Sequence, residues 1–125
     1  MSQAAFRSLF QAWNERDIDR QMTFVADDCH YNDFSFVRPH VGRVEVRALF
    51  DNVAAAVPGL TFEILDLTGD HDVAAYWEVY VDGEPTGRRG LSYYRFDGDD
   101  KLVWALDAAD PGPDQRTNDF HAPRG

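Results

Sequence analysis

Two aspartates stand out in a chain otherwise poor in catalytic side chains. Asp33 ends the stretch CHYND, and Asp107 sits inside WALDAA, a run of otherwise apolar residues. A lone carboxylate in an apolar run is unfavourable if buried and unpaired, so Asp107 needs either a partner or a task. Its neighbours at period two, Ala105 and Ala109, are small and leave open space beside it. Asp33 alternates with Tyr31 and is followed by Phe34 and Phe36. Among those rings desolvation raises a carboxyl toward neutrality, which suits a base removing a carbon-bound or hydroxyl proton. The competing reading is an aspartate that caps the following turn. For Asp107 the competing reading is a pair with an arginine. Arg88 is the candidate, since Thr86, Arg88, Gly90, Ser92 and Tyr94 alternate onto its face if the hairpin at 97–100 is regular; Arg89 is the other choice. An arginine there would hold the acid ionised or anchor a substrate oxygen; the alternative is a solvated arginine at the rim. Gly90 removes a side chain from the same row, making room for a ligand or a bulge.

The remaining chemistry is sparse. Cys29 is the only cysteine, so no intrachain disulfide and no CxxC zinc site can form. His30, His40, His71 and His121 lack metal-ligand spacing, and His40, in RPHVG, is placed at the pocket mouth or on the surface. Lys101 is the only lysine and lies in a turn. The acidic runs Asp27-Asp28 and Asp97 to Asp100 lack calcium-loop spacing. There is no GxGxxG, P-loop or GxSxG, so neither a nucleotide cofactor nor serine hydrolysis is expected, and no cofactor or metal at all.

The elements that must position these groups can be read from the period. Phe6, Leu9, Phe10 and Trp13 form the stripe of an amphipathic helix. Asp17 is the N-cap of a second helix carrying Ile18, Met22 and Val25 and ending at Asp27-Asp28. CHYNDFSF alternates as a short strand that runs into a loop at Pro39. A third helix after Gly42 carries Val46, Leu49, Phe50 and Val53, and Pro58-Gly59 stops it. The period then changes to two: LTFEILDLT, DVAAYWEVYV, TGRRGLSYYRF and KLVWALDAA read as four strands joined by Gly/Asp turns. Helices followed by a meander predict an α+β fold.

In the strand AYWEVYV, Ala75, Trp77, Val79 and Val81 face the helices, while Tyr76, Glu78 and Tyr80 face outward. Leu91, Tyr93, Leu102, Trp104 and Leu106 are expected on that outer face, a patch that predicts a homodimer through the sheet. The 125 residues, 44% of them hydrophobic, suffice for one core. We expect one domain over 1–112 and a flexible tail over 113–125. A net charge of −10, from 12 Lys plus Arg against 22 Asp plus Glu, argues against a nucleic-acid partner or an anionic membrane surface. No apolar run approaches the roughly 20 residues of a membrane span, and the N-terminal stretch, interrupted by Arg7, does not read as a signal peptide. The expectation is a soluble, cytoplasmic protein.

Three stretches carry a family resemblance: WNERDIDRQMTFVADDCHYND, GRVEVRALF and RRGLSYYRFDGDDKLVWALDAADP. They contain an Asn14-x-x-Asp17-hydrophobic entry followed by Ala26-Asp27-Asp28-x4-Asp33, a Gly42-Arg43 helix opening, and an Arg95-Phe96-Asp97 turn leading to Lys101-Leu102-Val103. Over about residues 3–111 the chain resembles the nuclear transport factor 2-like superfamily. That group includes ketosteroid isomerase, scytalone dehydratase, limonene epoxide hydrolase and the SnoaL-like polyketide cyclases. The resemblance implies a cone: a curved, mixed, mainly antiparallel sheet wrapped around three N-terminal helices, with an open apolar pocket. It puts Asp33 where the isomerase keeps its base and Asp107 where the epoxide hydrolase and many cyclases keep an aspartate. Tyr31 falls where the hydrolase holds water. Leu9 and Ser92 replace the isomerase's oxyanion-hole tyrosine and aspartic acid, and Trp77 and Val79 replace the hydrolase's middle-strand Arg/Asp pair.

The resulting expectation is a cofactor-free acid/base enzyme, an isomerase or cyclase for a polyketide- or terpenoid-like hydrophobic substrate. Asp33, Asp107, Tyr31 and Arg88 are its catalytic candidates; Trp13, Phe34, His40, Phe50, Trp77, Ser92 and Tyr94 are its substrate-binding candidates. The alternatives are a non-catalytic ligand-binding or dimeric adaptor protein, and a dehydratase or epoxide hydrolase using the same pocket.

Overall fold

A computed structural model describes residues 2–112; the tail expected at 113–125 lies outside the described residues. Helix α1, Ser2–Asn14, buries Phe6, Leu9, Phe10 and Trp13, the stripe its spacing predicts. Its C-terminal end is tied to the sheet. The Trp13 indole donates to the Leu60 carbonyl at 3.1 Å, and the Asn14 amide exchanges two hydrogen bonds with the backbone of Phe62. Asn14 thereby imitates a neighbouring strand on an edge that would otherwise be unpaired there.

Helix α2 is a single short turn, Ile18–Met22, capped by Asp17, whose carboxylate accepts from the Arg20 N–H. The expected helix through Val25 is corrected: Val25 already begins strand β1, Val25–Asp33. Pairing with a distant strand overrides the local period, because the Leu102 N–H bonds the Phe24 carbonyl and Val25 is in register with Leu102. Arg43 fastens the transition by donating to the carbonyls of Met22 and Val25. The two-residue strand β2, His40–Val41, was not expected; it pairs with His30 and Tyr31 and leads into helix α3, Gly42–Ala56. Glu45 reaches back to the Val41 N–H at the start of α3.

Strands β3 (Leu60–Gly69), β4 (Asp72–Val81), β5 (Glu84–Phe96) and β6 (Leu102–Ala109) form the expected meander. The six-stranded sheet runs β2-β1-β6-β5-β4-β3, antiparallel everywhere except at β1–β6. That parallel pair is the closure that brings residue 31 beside residue 105. The α+β cone is therefore present, with the helices against the concave face of the sheet.

One facing assignment needs correction. Leu102 was expected on the outer face with Trp104, yet it is fully buried. Phe96 pairs Leu102 while Arg95 pairs Trp104, so β6 carries one extra residue there. That bulge turns Leu102 inward ahead of the regular alternation. The rest of the outer face is as expected: Tyr76, Leu91 and Tyr93 are exposed and Trp104 and Leu106 half-buried. No helix among the described residues is long and apolar enough to cross a membrane.

Candidate active site

The site is assembled on three adjacent strands, with β6 in the middle. Asp107 on β6 lies in register with Ser92 on β5 and with Asp33 on β1. One step along, Ala105 lies in register with both Tyr31 and Tyr94. Because Ala105 offers only a methyl group, the two phenol rings converge over it, with ring centroids 5.9 Å apart and hydroxyls 2.5 Å apart.

The phenols meet Asp107. The Tyr31 hydroxyl donates to Asp107 Oδ2 at 2.5 Å, and the Tyr94 hydroxyl lies 3.2 Å from the same oxygen. Ser92 Oγ donates to Oδ1 at 2.5 Å and itself accepts from Trp77 Nε1 at 2.8 Å. Both carboxylate oxygens are thus held by O–H groups, and the serine is oriented from behind by an indole. Charge-assisted bonds of this kind are short and strong. Burial nevertheless dominates the titration: desolvation lifts the Asp107 carboxyl to about 6 against the three hydrogen bonds, and the neighbouring Asp33 charge adds to the rise. Tyr31 and Tyr94 are both pushed well above the usual phenol range by burial and then by the Asp107 charge, so they stay protonated.

These groups open onto a cavity of about 390 Å³ between helices and sheet, within the span of about 300–1,000 Å³ usual for small-molecule sites. Its wall is mainly apolar and aromatic, with Phe10, Trp13, Phe50, Phe62 and Trp77 prominent. Tyr31, Asp33, Arg88, Tyr94 and Asp107 also line it. The sequence-predicted Trp13, Phe50, Trp77 and Tyr94 are therefore wall residues. Ser92 stands behind the wall, reaching the site through Asp107.

Other expectations are placed differently. Asp33 lines the cavity, but its Oδ1 accepts the Ser35 N–H at 2.8 Å, the turn-capping role. Arg88 does not pair with Asp107: its Nε and an Nη donate to the Asp110 carbonyl. The chain bulges at residues 86–88, with Gly87 at a φ of +75° and the Thr86 hydroxyl bonded to the Val79 carbonyl, so this stretch leaves the regular register. Arg89 points outward to Tyr76 and Glu78. Phe34 is 70% exposed and, like His40, is absent from the cavity wall. His40 instead packs edge-on against Phe36. The space expected at Gly90 is filled: a Cβ there would lie 2.2 Å from the Trp77 indole. Glycine lets the indole lie across β5 and reach Ser92.

Gln21 is a cavity residue that the pattern reading passed over. The signal was present, since Ile18, Gln21, Met22 and Val25 share helical spacing and Gln21 is the polar member of that apolar stripe. Cys29, fully buried beside Asp28, has its thiol pushed up to about 12, which keeps it from acting as a nucleophile. Among the described residues, no three His, Cys, Asp or Glu side chains gather as a metal set.

The sequence of residues 6–105 matches the profile of the SnoaL-like domain, and the chain belongs to that family, within the nuclear transport factor 2-like superfamily. No curated protein matches it. Among solved structures, a SnoaL-like protein of unknown function from Burkholderia thailandensis superposes with a TM-score of 0.73 at 23% identity, covering 87% of this chain and 94% of its own. IdmH from Streptomyces antibioticus, proposed to be a polyketide cyclase, has a TM-score of 0.73 at 17% identity, with 88% and 92% covered. AclR from Streptomyces galilaeus, proposed to be a hydroxylase, has a TM-score of 0.70 at 21% identity, with 90% of each chain covered. At these identities the likeness is one of fold.

Proposed function

We propose that the protein is a cofactor-free acid/base enzyme, an isomerase or cyclase, that moves protons on a hydrophobic, carbonyl-bearing substrate of polyketide or terpenoid type. The observation that carries the reading is Asp107: a half-buried carboxyl on a cavity wall, held by Tyr31, Ser92 and Tyr94 and raised to about 6. A group titrating near the working pH is an efficient proton carrier, worth about 10²–10⁴-fold in rate.

In this reading ionised Asp107 takes a proton from the carbon next to a substrate carbonyl, leaving an enolate. The proton then returns to another carbon, which is isomerisation. Otherwise the enolate carbon bonds to a second carbonyl carbon and Asp107 protonates the alkoxide, which is aldol cyclisation. Neutral Tyr31 and Tyr94 are suited to stabilise the oxyanion, because a protonated Asp107 no longer needs both O–H donors. Asp33 contributes negative charge across the strand pair. Proton transfer of this kind requires no cofactor. We take the working protein to be a homodimer through the outer face of the sheet, and its compartment to be the cytoplasm, where Cys29 stays reduced.

The test is hydrogen exchange in deuterated water with cyclic ketones such as 1-tetralone, read by mass spectrometry. We expect deuterium next to the carbonyl with the wild type and a loss of about 10²–10⁴-fold in rate with Asp107→Asn. Equal exchange by Asp107→Asn would remove Asp107 from the mechanism. A bound ketone recovered without label would make the protein a binder.

A further inference from the structure

Three charged side chains line the cavity, and only one of them is a cation: Arg88, on a wall that also carries Asp33 and Asp107. It is half-buried and borders the open space. The backbone fixes its place. Thr86, Gly87 and Arg88 together stand against the single residue Val79, and the Thr86 hydroxyl accepts the Arg88 N–H. The guanidinium then donates from Nε at 3.2 Å and from Nη2 at 2.9 Å to the Asp110 carbonyl. That carbonyl is a neutral acceptor, and Arg88 forms no ion pair among the described residues. A guanidinium carries five N–H donors in a rigid fork. The Nε–Nη2 edge holds the backbone, which leaves the Nη1–Nη2 edge without a partner among the described residues. A charge drawn partly out of water is unfavourable without a counter-charge, and the remaining edge fits a carboxylate end-on through two parallel bonds. Asp110 lies three residues beyond Asp107 along the chain, so the Arg88 head stands about 10 Å from the acid along the wall.

We propose that Arg88 binds a carboxylate of the substrate. The substrate class narrows to a hydrophobic keto acid whose carboxylate lies about 10 Å from the carbon that Asp107 deprotonates. This deepens the acid/base reading and rests on it. Asp33 on the same wall and a net charge of −10 repel an anion from the rest of the cavity. Arg88 therefore sets which end of the molecule lies at Asp107, and the proton transfer stays with Asp107.

Three ketones of one shape test this: 4′-acetylbiphenyl-4-carboxylate, whose methyl ketone and carboxylate stand about that far apart, its methyl ester, and 4-acetylbiphenyl. Each is titrated into the intact protein by NMR. The expected result is that the acid binds about tenfold more tightly than the other two, and that it alone moves the Arg88 Nε–H resonance. In Arg88→Gln the three bind alike. An arginine that only pins the Asp110 backbone would give no preference for the acid, whatever its removal did to stability. An ester or ketone as good as the acid, binding of none, or a preference that survives Arg88→Gln would each overturn the proposal. The wild-type comparison decides the matter even if Arg88→Gln fails to fold. Deuterium exchange at the acetyl group, followed with the same compounds in deuterated water, reports separately on Asp107. Exchange without a preference for the acid sinks the Arg88 assignment alone, and a preference without exchange sinks the acid/base reading alone.

Discussion

At the level of single residues the protein withdraws a carboxyl partly from water, on a cavity wall, and surrounds it with hydroxyls. The result has a thermodynamic signature. Between the ordinary carboxyl value of 3.8 and the native value of about 6, the folded state keeps the Asp107 proton that the unfolded chain has released. Stability therefore falls as pH rises through that window and is level above it, by about 3 kcal/mol in all. Asp107→Asn removes this contribution, so wild-type and variant denaturant curves measured from pH 4 to 8 should differ in slope only below about pH 6. A carboxyl-carbon NMR titration should find the same midpoint directly. Asp33→Asn removes a neighbouring negative charge, so the Asp107 midpoint should move down; an unmoved or raised midpoint would contradict the coupling. The sequence marked both aspartates, because an acid in an apolar strand is conspicuous. It misassigned the partners, since hydroxyls at Tyr31 and Ser92 leave no charge pattern to read, whereas Arg88 does.

At the level of elements, the site depends on small residues that let large ones reach across strands. Ala105 admits the two phenols and Gly90 admits the Trp77 indole. Gly90→Ala puts a Cβ into the indole, and we expect a loss of about 1–3 kcal/mol together with a displaced Trp77 indole N–H resonance, because the bond to Ser92 Oγ cannot survive the shift. Thermal unfolding and a proton–nitrogen spectrum check both. The periodic elements were legible: the first helix stripe and all four meander strands lie where the spacing puts them. The early end of α2, strand β2 and the inward turn of Leu102 were not: the first is decided by pairing with Leu102 far along the chain, the second is a two-residue bridge too short to show a period, and the third is a bulge in the β5–β6 hairpin. Local period carries no record of a partner some 75 residues distant, nor of a bulge that shifts the alternation by one.

At the level of the whole molecule, two faces of one sheet do different work. The concave face holds the cavity, and the convex face presents Tyr76, Leu91 and Tyr93, with Tyr93 edge-on to Trp104. Contiguous apolar surface of this kind marks an association site. We expect sedimentation to give a dimer mass for the wild type and a monomer mass for Leu91→Lys, since a lysine in a two-fold interface meets its own copy. A wild type that stays monomeric at high concentration would refute the assembly.

The parallel pairing of β1 with β6 bears on how the protein is made as well as on what it holds. Strands β3 to β6 can form as successive hairpins, but β1 must wait for a strand about 75 residues further on, and contacts of such separation are slow to form. Until β1 docks, Asp107 has no Tyr31 and no cover, so it remains hydrated and ionised. We therefore expect burial of the acid to accompany a late step of folding. Stopped-flow folding and unfolding of the wild type across pH should show the pH dependence of Asp107 mainly in the unfolding rate, the signature of a group desolvated only after the transition state.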